Sequence, residues 1–178
     1  MKKLGISLIL IAIIFVTILA NVNNNSDSVE YLRIHIRANS NSQIDQDVKY
    51  LVKTAIVDYL TPIVANCSDK ESAVRALNEN KVELESVADK ILLENGFNYK
   101  SQVAVRNELF PTRVYEDFTL EEGFYDAVII ELGKAEGDNW WCVVYPPLCF
   151  QGSENLTYKS KIVEIINNFR AKYIKEKK

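Results

Sequence analysis

The chain has 178 residues, 48% hydrophobic and 25% charged, with a formal charge of -3 and a single histidine. There is enough apolar material to offset chain entropy, which argues against disorder, and the acidic balance argues against a nucleic-acid partner, which would need a basic patch. One histidine leaves almost no room for a histidine-based metal centre.

Met1-Lys2-Lys3 is a short basic head, and Leu4 to Ala20 is almost uninterrupted in Leu, Ile, Val, Phe and Ala. That is a signal peptide or a short membrane anchor, and its length is near the lower limit of about 17 residues for a spanning helix. Ala20 suits a cleavage site, but Ile18 is bulky for one. Cleaved or retained, the segment places the body outside the cytoplasm, because positive charge stays inside. Residues 21–28 are a polar spacer, and residues 29–178 have the size of one domain.

Glu30 to Arg37 alternates, with Leu32, Ile34 and Ile36 on one face and Tyr31, Arg33, His35 and Arg37 on the other, which predicts a half-buried strand. A turn follows, in which Ser40 and Gln43 have capping-box spacing and Ser42 with Asp45 is a second choice. The helix to Val64 carries Ile44, Val48, Leu51, Val52, Ala55, Ile56, Tyr59, Leu60 and Ile63 at spacings of three and four. Ser68 and Glu71 predict another cap. A second helical stretch runs to Asn95, with a break near Asn78-Glu79-Asn80 and Gly96 as its stop. From Phe97 the period becomes two. After Phe110-Pro111 comes a short edge strand near Thr112 to Tyr115, then a turn at Glu121-Glu122-Gly123. Phe124 to Leu132 and Asn139 to Tyr145 read as a hairpin joined by Gly133 to Asp138, closed by Pro146-Pro147. A last helix spans Tyr158 to Ile174. The sum is an α+β fold: a largely antiparallel sheet of four or five strands with helices on one face.

The candidate chemistry is sparse. His35 and Cys142 are the one combination that could form a thiol nucleophile, yet no protease signature surrounds Cys142. Cys142 and Cys149 are either a disulfide, which an export signal permits and which requires the chain to reverse at the prolines, or two buried thiols. Cys67 is left over in both cases. No cofactor motif and no metal-ligand spacing is present. The richest stretch is residues 139–150, which holds both tryptophans. Trp140, Cys142 and Val144 share one face, and Trp141, Val143 and Tyr145 the other. Two readings follow. In one, the strand is central and buried on both sides. In the other, Trp140, Trp141, Tyr145, Pro146, Pro147 and Phe150 supply an exposed aromatic docking surface. The Arg37 to Gln46 loop, with Arg37, Asn39, Ser40, Asp45 and Gln46, is a second candidate surface, or simply the cap of the first helix.

The strand entering Arg37-Ala38-Asn39-Ser40-Asn41-Ser42, the Asp45-Gln46 pair, Phe110-Pro111 and the block Asn139-Trp140-Trp141-Cys142-Val143-Val144-Tyr145-Pro146-Pro147-Leu148-Cys149-Phe150 together resemble the stage II sporulation protein R family. The resemblance covers roughly residues 29–152. It implies a protein made in the forespore and exported to the space between the septal membranes. There such a protein activates a membrane-embedded aspartic protease of the mother cell, which processes the precursor of a sigma factor. The resemblance implies an activating ligand, not an enzyme. The alternatives from the residues themselves are a cell-envelope enzyme using Cys142 and His35, or a passive envelope structural protein.

Overall fold

A computed structural model describes residues 31–115, 118–150 and 156–173. The expected signal or anchor segment and the spacer lie outside the described residues. Among the described residues, no helix is long and apolar enough to cross a membrane. The elements, in order, are β1 (Leu32–Arg37), α1 (Gln43–Val64), α2 (Lys70–Glu79), α3 (Lys81–Glu94), β2 (Ser101–Phe110), β3 (Arg113–Tyr115), β4 (Phe118–Leu120), β5 (Gly123–Leu132), β6 (Asn139–Tyr145) and α4 (Leu156–Tyr173), with a 3-10 turn at Leu148–Phe150.

The fold is α+β, but its sheet is mixed. The order is β2-β5-β1-β6, with β1 parallel to β5 and antiparallel to β6. The expected β5–β6 hairpin is therefore split, because β1 lies between its arms. The linker Gly133 to Asp138 has only to step over one strand, about 10 Å at the usual interstrand spacing. This insertion also corrects the place of the tryptophan strand: β6 is an edge strand, and β1 holds the centre. β3 and β4 pair with each other in a separate two-stranded ribbon.

One face of the sheet carries the main core. Leu32, Ile34, Ile36, Val128, Ile130, Leu132 and Val144 join Val52, Ile56 and Leu60 of α1, Leu77 of α2, Leu84 and Leu92 of α3, and Ile162 and Ile166 of α4 in one buried cluster. Each such side chain contributes roughly 1.5–3 kcal/mol by leaving water. The buried stripe of α1 is narrower than its sequence suggests, since Ile44 is 67% and Leu51 49% exposed. Leu51 lies off the Val48-Val52-Ile56-Leu60 line that meets the sheet, and Ile44, though on that line, sits in the first turn of the helix.

The helix caps also shift. Ser42, the second choice, rather than Ser40 caps α1 and accepts the Asp45 backbone N–H at 3.3 Å. Asp69, not Ser68, caps α2 in a reciprocal box with Ser72. The break near Asn78-Glu79-Asn80 does separate α2 from α3, and Gly96 takes φ +80 after α3, a conformation suited to glycine at a helix end.

Candidate functional site

The opposite face of the sheet is polar, and among the described residues its apolar cluster is built from strand side chains alone. It collects Arg33, His35 and Arg37 from β1, Arg106, Glu108 and Phe110 from β2, Tyr125 and Glu131 from β5, and Asn139 and Trp141 from β6, because side chains two apart on a strand share a face. β1 is thus buried on both sides rather than half-buried: Arg33 is 0% and His35 4% exposed. A small apolar cluster of Phe110, Ala127 and Ile129, with Tyr125 and Trp141 against it, underlies the face. Among the described residues, two side chains of the β3–β4 ribbon reach it. Arg33 Nη2 donates to the Tyr115 hydroxyl at 2.8 Å, and the Arg113 guanidinium lies 3.9 Å from the Trp141 ring centroid.

Ion pairs fill the β2 side of this face. Arg37 donates to Glu108 at 2.6 Å and to Glu131 at 2.7 Å, and Arg106 donates to Glu108 at 2.9 Å and to Glu131 at 3.1 Å. His35 Nδ1 lies 2.8 Å from Glu108 Oε1, and Trp141 stacks on its ring with centroids 5.2 Å apart. Burial disfavours ionised Glu108, but hydrogen bonds from Arg106 and His35 outweigh it and hold the carboxyl below its ordinary range. A charged Glu108 only accepts, so His35 carries its proton on Nδ1. Burial also pushes His35 below its ordinary pKa, against the pull of Glu108. The imidazole is therefore neutral at pH 7.

The expected aromatic surface divides. Trp140 packs toward the helices with the main core, and Lys53 Nζ lies 6.0 Å from its ring centroid. Trp141 is half-buried on the polar face. Pro146, Pro147 and Phe150 are buried, so they are not an exposed anchor. They turn the chain, through a cis Tyr145–Pro146 bond, into the 3-10 segment and the core. The Tyr145 hydroxyl donates to the Ser68 carbonyl at 2.7 Å. Trp141 alone of this set belongs to the polar face.

The Arg37 to Gln46 loop divides too. Arg37 belongs to the ion-pair cluster. Asn39 and Ser40 both donate to Asp45 Oδ2, at 2.9 and 2.5 Å, and Tyr99 donates to Asp45 Oδ1 at 2.7 Å. Gln46 Nε2 donates to the Ser40 carbonyl at 2.9 Å, and Lys49 Nζ to Gln46 Oε1 at 2.6 Å. Asn39 Oδ1 accepts the Lys134 N–H and Asn41 Oδ1 the Asp138 N–H. These groups satisfy one another and lock the loop after β1 to the β5–β6 linker. A Cβ on Gly137 would collide with the Ser40 carbonyl, so only glycine permits that approach.

The His35–Cys142 nucleophile pair does not exist. His35 pairs in register with Trp141, and Ile34 with Cys142, so the thiol position faces the other side of the sheet. Cys142 is moreover joined to Cys149 in a disulfide with Cα atoms 5.9 Å apart. Cys67 is a free, buried thiol, and burial raises its pKa. Among the described residues, no group of three or more His, Cys, Asp or Glu side chains could hold a metal ion.

Sequence reasoning did not find Arg33, Glu108, Arg113, Tyr115 or Tyr125 as site residues. A signal existed for one of them: Glu108 continues the period-two pattern of β2 beyond Arg106. Nothing local links Tyr115 to Arg33, which are 82 residues apart.

A mixed four-stranded sheet, with helices on one face and a polar arginine-rich second face, defines the class of residues 31–173 as an α+β fold with one sheet face set apart from its core. The chain belongs to the stage II sporulation protein R family, whose model matches residues 28–155. It is similar to Stage II sporulation protein R of Bacillus subtilis (strain 168), with 34% identity over 124 residues, 70% of this chain and 55% of that relative. The chain thus spans about half the length of the relative it matches. No solved structure matches.

Proposed function

We propose that this protein is an exported sporulation signal. It activates a membrane-embedded aspartic protease of the mother cell, which then processes the precursor of a sigma factor. The observation that carries this reading is family membership across residues 28–155, a span containing all six of the described strands. The apolar run Leu4 to Ala20 supports export from the forespore, either with release into the intermembrane space or with retention as an anchor. The dissolution of the Cys142–His35 pair supports a role as a ligand rather than as a hydrolase. The polar sheet face, with Trp141 on it, is the surface that engages the protease.

Co-expression of the full chain with the protease and the sigma-factor precursor in a non-sporulating host tests this reading. Cleavage that depends on the chain is the expected result. Equal cleavage without the chain, or none with it when the chain is folded and exported and the protease and precursor are folded and present, sinks the reading. Trp141→Ala, which removes the ring between His35 and Arg113, should reduce cleavage about tenfold or more, as loss of a central interface tryptophan does. Full activity of a folded Trp141→Ala protein would move the contact elsewhere.

A further inference from the structure

The guanidinium of Arg33 has fewer partners than its position demands. It is 0% exposed. Its Nη2 donates to Tyr115, while Nε and Nη1 have no hydrogen-bond partner among the described residues. Its Cζ lies 4.2 Å from the Phe110 ring centroid and 4.9 Å from that of Tyr125. Those rings stabilise the charge through its flat faces. The N–H bonds lie in the guanidinium plane and still need acceptors. A buried charge ordinarily also has a counter-ion, because desolvation is costly. Arg37 and Arg106 show the ordinary arrangement, each bound to Glu108 and Glu131. With Arg33 and with Arg113 over Trp141, the face sets four arginines against two glutamates among the described residues. This surplus is positive in a chain whose formal charge is -3.

We propose that Arg33 is the recognition group of a carboxylate site, filled by an acidic side chain of a protein partner lying across the polar sheet face. This deepens the proposed function and rests on its premise that the chain acts by binding a partner. The planar fork of arginine matches a carboxylate with two parallel hydrogen bonds, which a lysine cannot do. The Tyr115 hydroxyl stands where one carboxylate oxygen would bind. An arriving carboxylate takes its place on Nη2 and supplies an acceptor to a neighbouring N–H. A polypeptide fits better than a free small acid because the surroundings are those of an interface. Trp141 and Arg113 are half-buried beside the site, Val114 is 78% exposed on the same ribbon, and tryptophan and arginine are favoured as anchors between proteins.

The test uses the full chain, 15N-labelled in detergent solution. It is titrated with N-acetyl-Ala-Glu-Ala-amide and with the matching glutamine peptide, following the Arg33 Nε–H resonance. The glutamate peptide should shift that resonance and bind about tenfold more tightly than the glutamine peptide, the equivalent of one charge-assisted contact. Arg33→Met should abolish the discrimination while melting at the same or a higher temperature, because an unpaired buried charge has been replaced by an apolar chain of similar length. Tyr115→Phe, which vacates Nη2, should bind the glutamate peptide several-fold more tightly. Equal binding of the two peptides by the unsubstituted chain overturns the site. So does acetate binding as tightly as the glutamate peptide, which would make this a free-acid site. Unchanged discrimination in Arg33→Met, with a lower melting temperature, would assign Arg33 a packing role and overturn it as well. None of these readouts involves the protease, so failure of the cleavage experiment and failure of the carboxylate site are separate results.

Discussion

Asp45 accepts side-chain hydrogen bonds from Asn39, Ser40 and Tyr99 while only 5% exposed. Burial opposes its charge, but those bonds outweigh burial and lower its pKa; burial and the same carboxylate raise that of Tyr99. Asp45→Asn keeps the shape and loses acceptor capacity, so it should destabilise the fold by about 2 kcal/mol, measured as a shift in the urea midpoint. His35 gives a different dependence. Its folded pKa lies below the unfolded value of 6.5, so the unfolded chain binds the extra proton first. Its contribution is fully present above pH 6.5 and is lost as pH falls through the folded value. Glu108 follows at lower pH: its contribution is present above 4.5 and is lost as pH falls through its depressed folded value. Melting temperature should therefore decline in two stages on acidification. His35→Gln should flatten the first stage and leave the second. A chain whose first stage survives that substitution would contradict the assignment.

At the scale of elements, the disulfide and the sheet edges decide most. Cys142 at the middle of β6 and Cys149 in the 3-10 turn are seven residues apart. Closing so short a loop stabilises the fold by about 2.5 kcal/mol in the chain-entropy model. Replacing both cysteines by alanine, or adding a reductant, should lower stability by that order in a denaturant titration. The β2 edge is protected in another way. Asp89 accepts the Ser101 N–H at 2.7 Å, and Glu85 accepts the Val103 N–H at 2.8 Å. Two α3 carboxylates thus occupy edge donors that could otherwise recruit a foreign strand. The four main-sheet strands and the helices were legible from period two and period three-to-four, but β4 was not, and the expected edge strand near Thr112 to Tyr115 pairs with β4 instead of the main sheet. The first-choice caps lie one or two residues from the observed ones, Ser42 being the second choice for α1, because several Ser, Asp and Asn side chains compete within each turn. The aromatic block read correctly as a strand with opposite faces, but the burial of Pro146, Pro147 and Phe150 depends on what α1 and the core place against them.

For the whole molecule, Leu32, Ile34, Ile36 and the α1 residues Val48, Val52, Ile56 and Leu60 announce a core through their spacing alone, and the family resemblance is carried by contiguous words such as Trp140-Trp141-Cys142. Both are local properties, and local chain chemistry determines them. Tertiary structure decided what has no local code. It inserted β1 between β5 and β6 and thereby turned an antiparallel expectation into a mixed sheet. It separated His35 from Cys142 by the alternation of a single register. It also assembled Arg33, Glu108, Tyr115 and Trp141 from four strands into one face. Such pairings are chosen by burial summed over the entire sheet, where a strand apolar on one side and carrying Arg33 and His35 on the other is best placed in the middle.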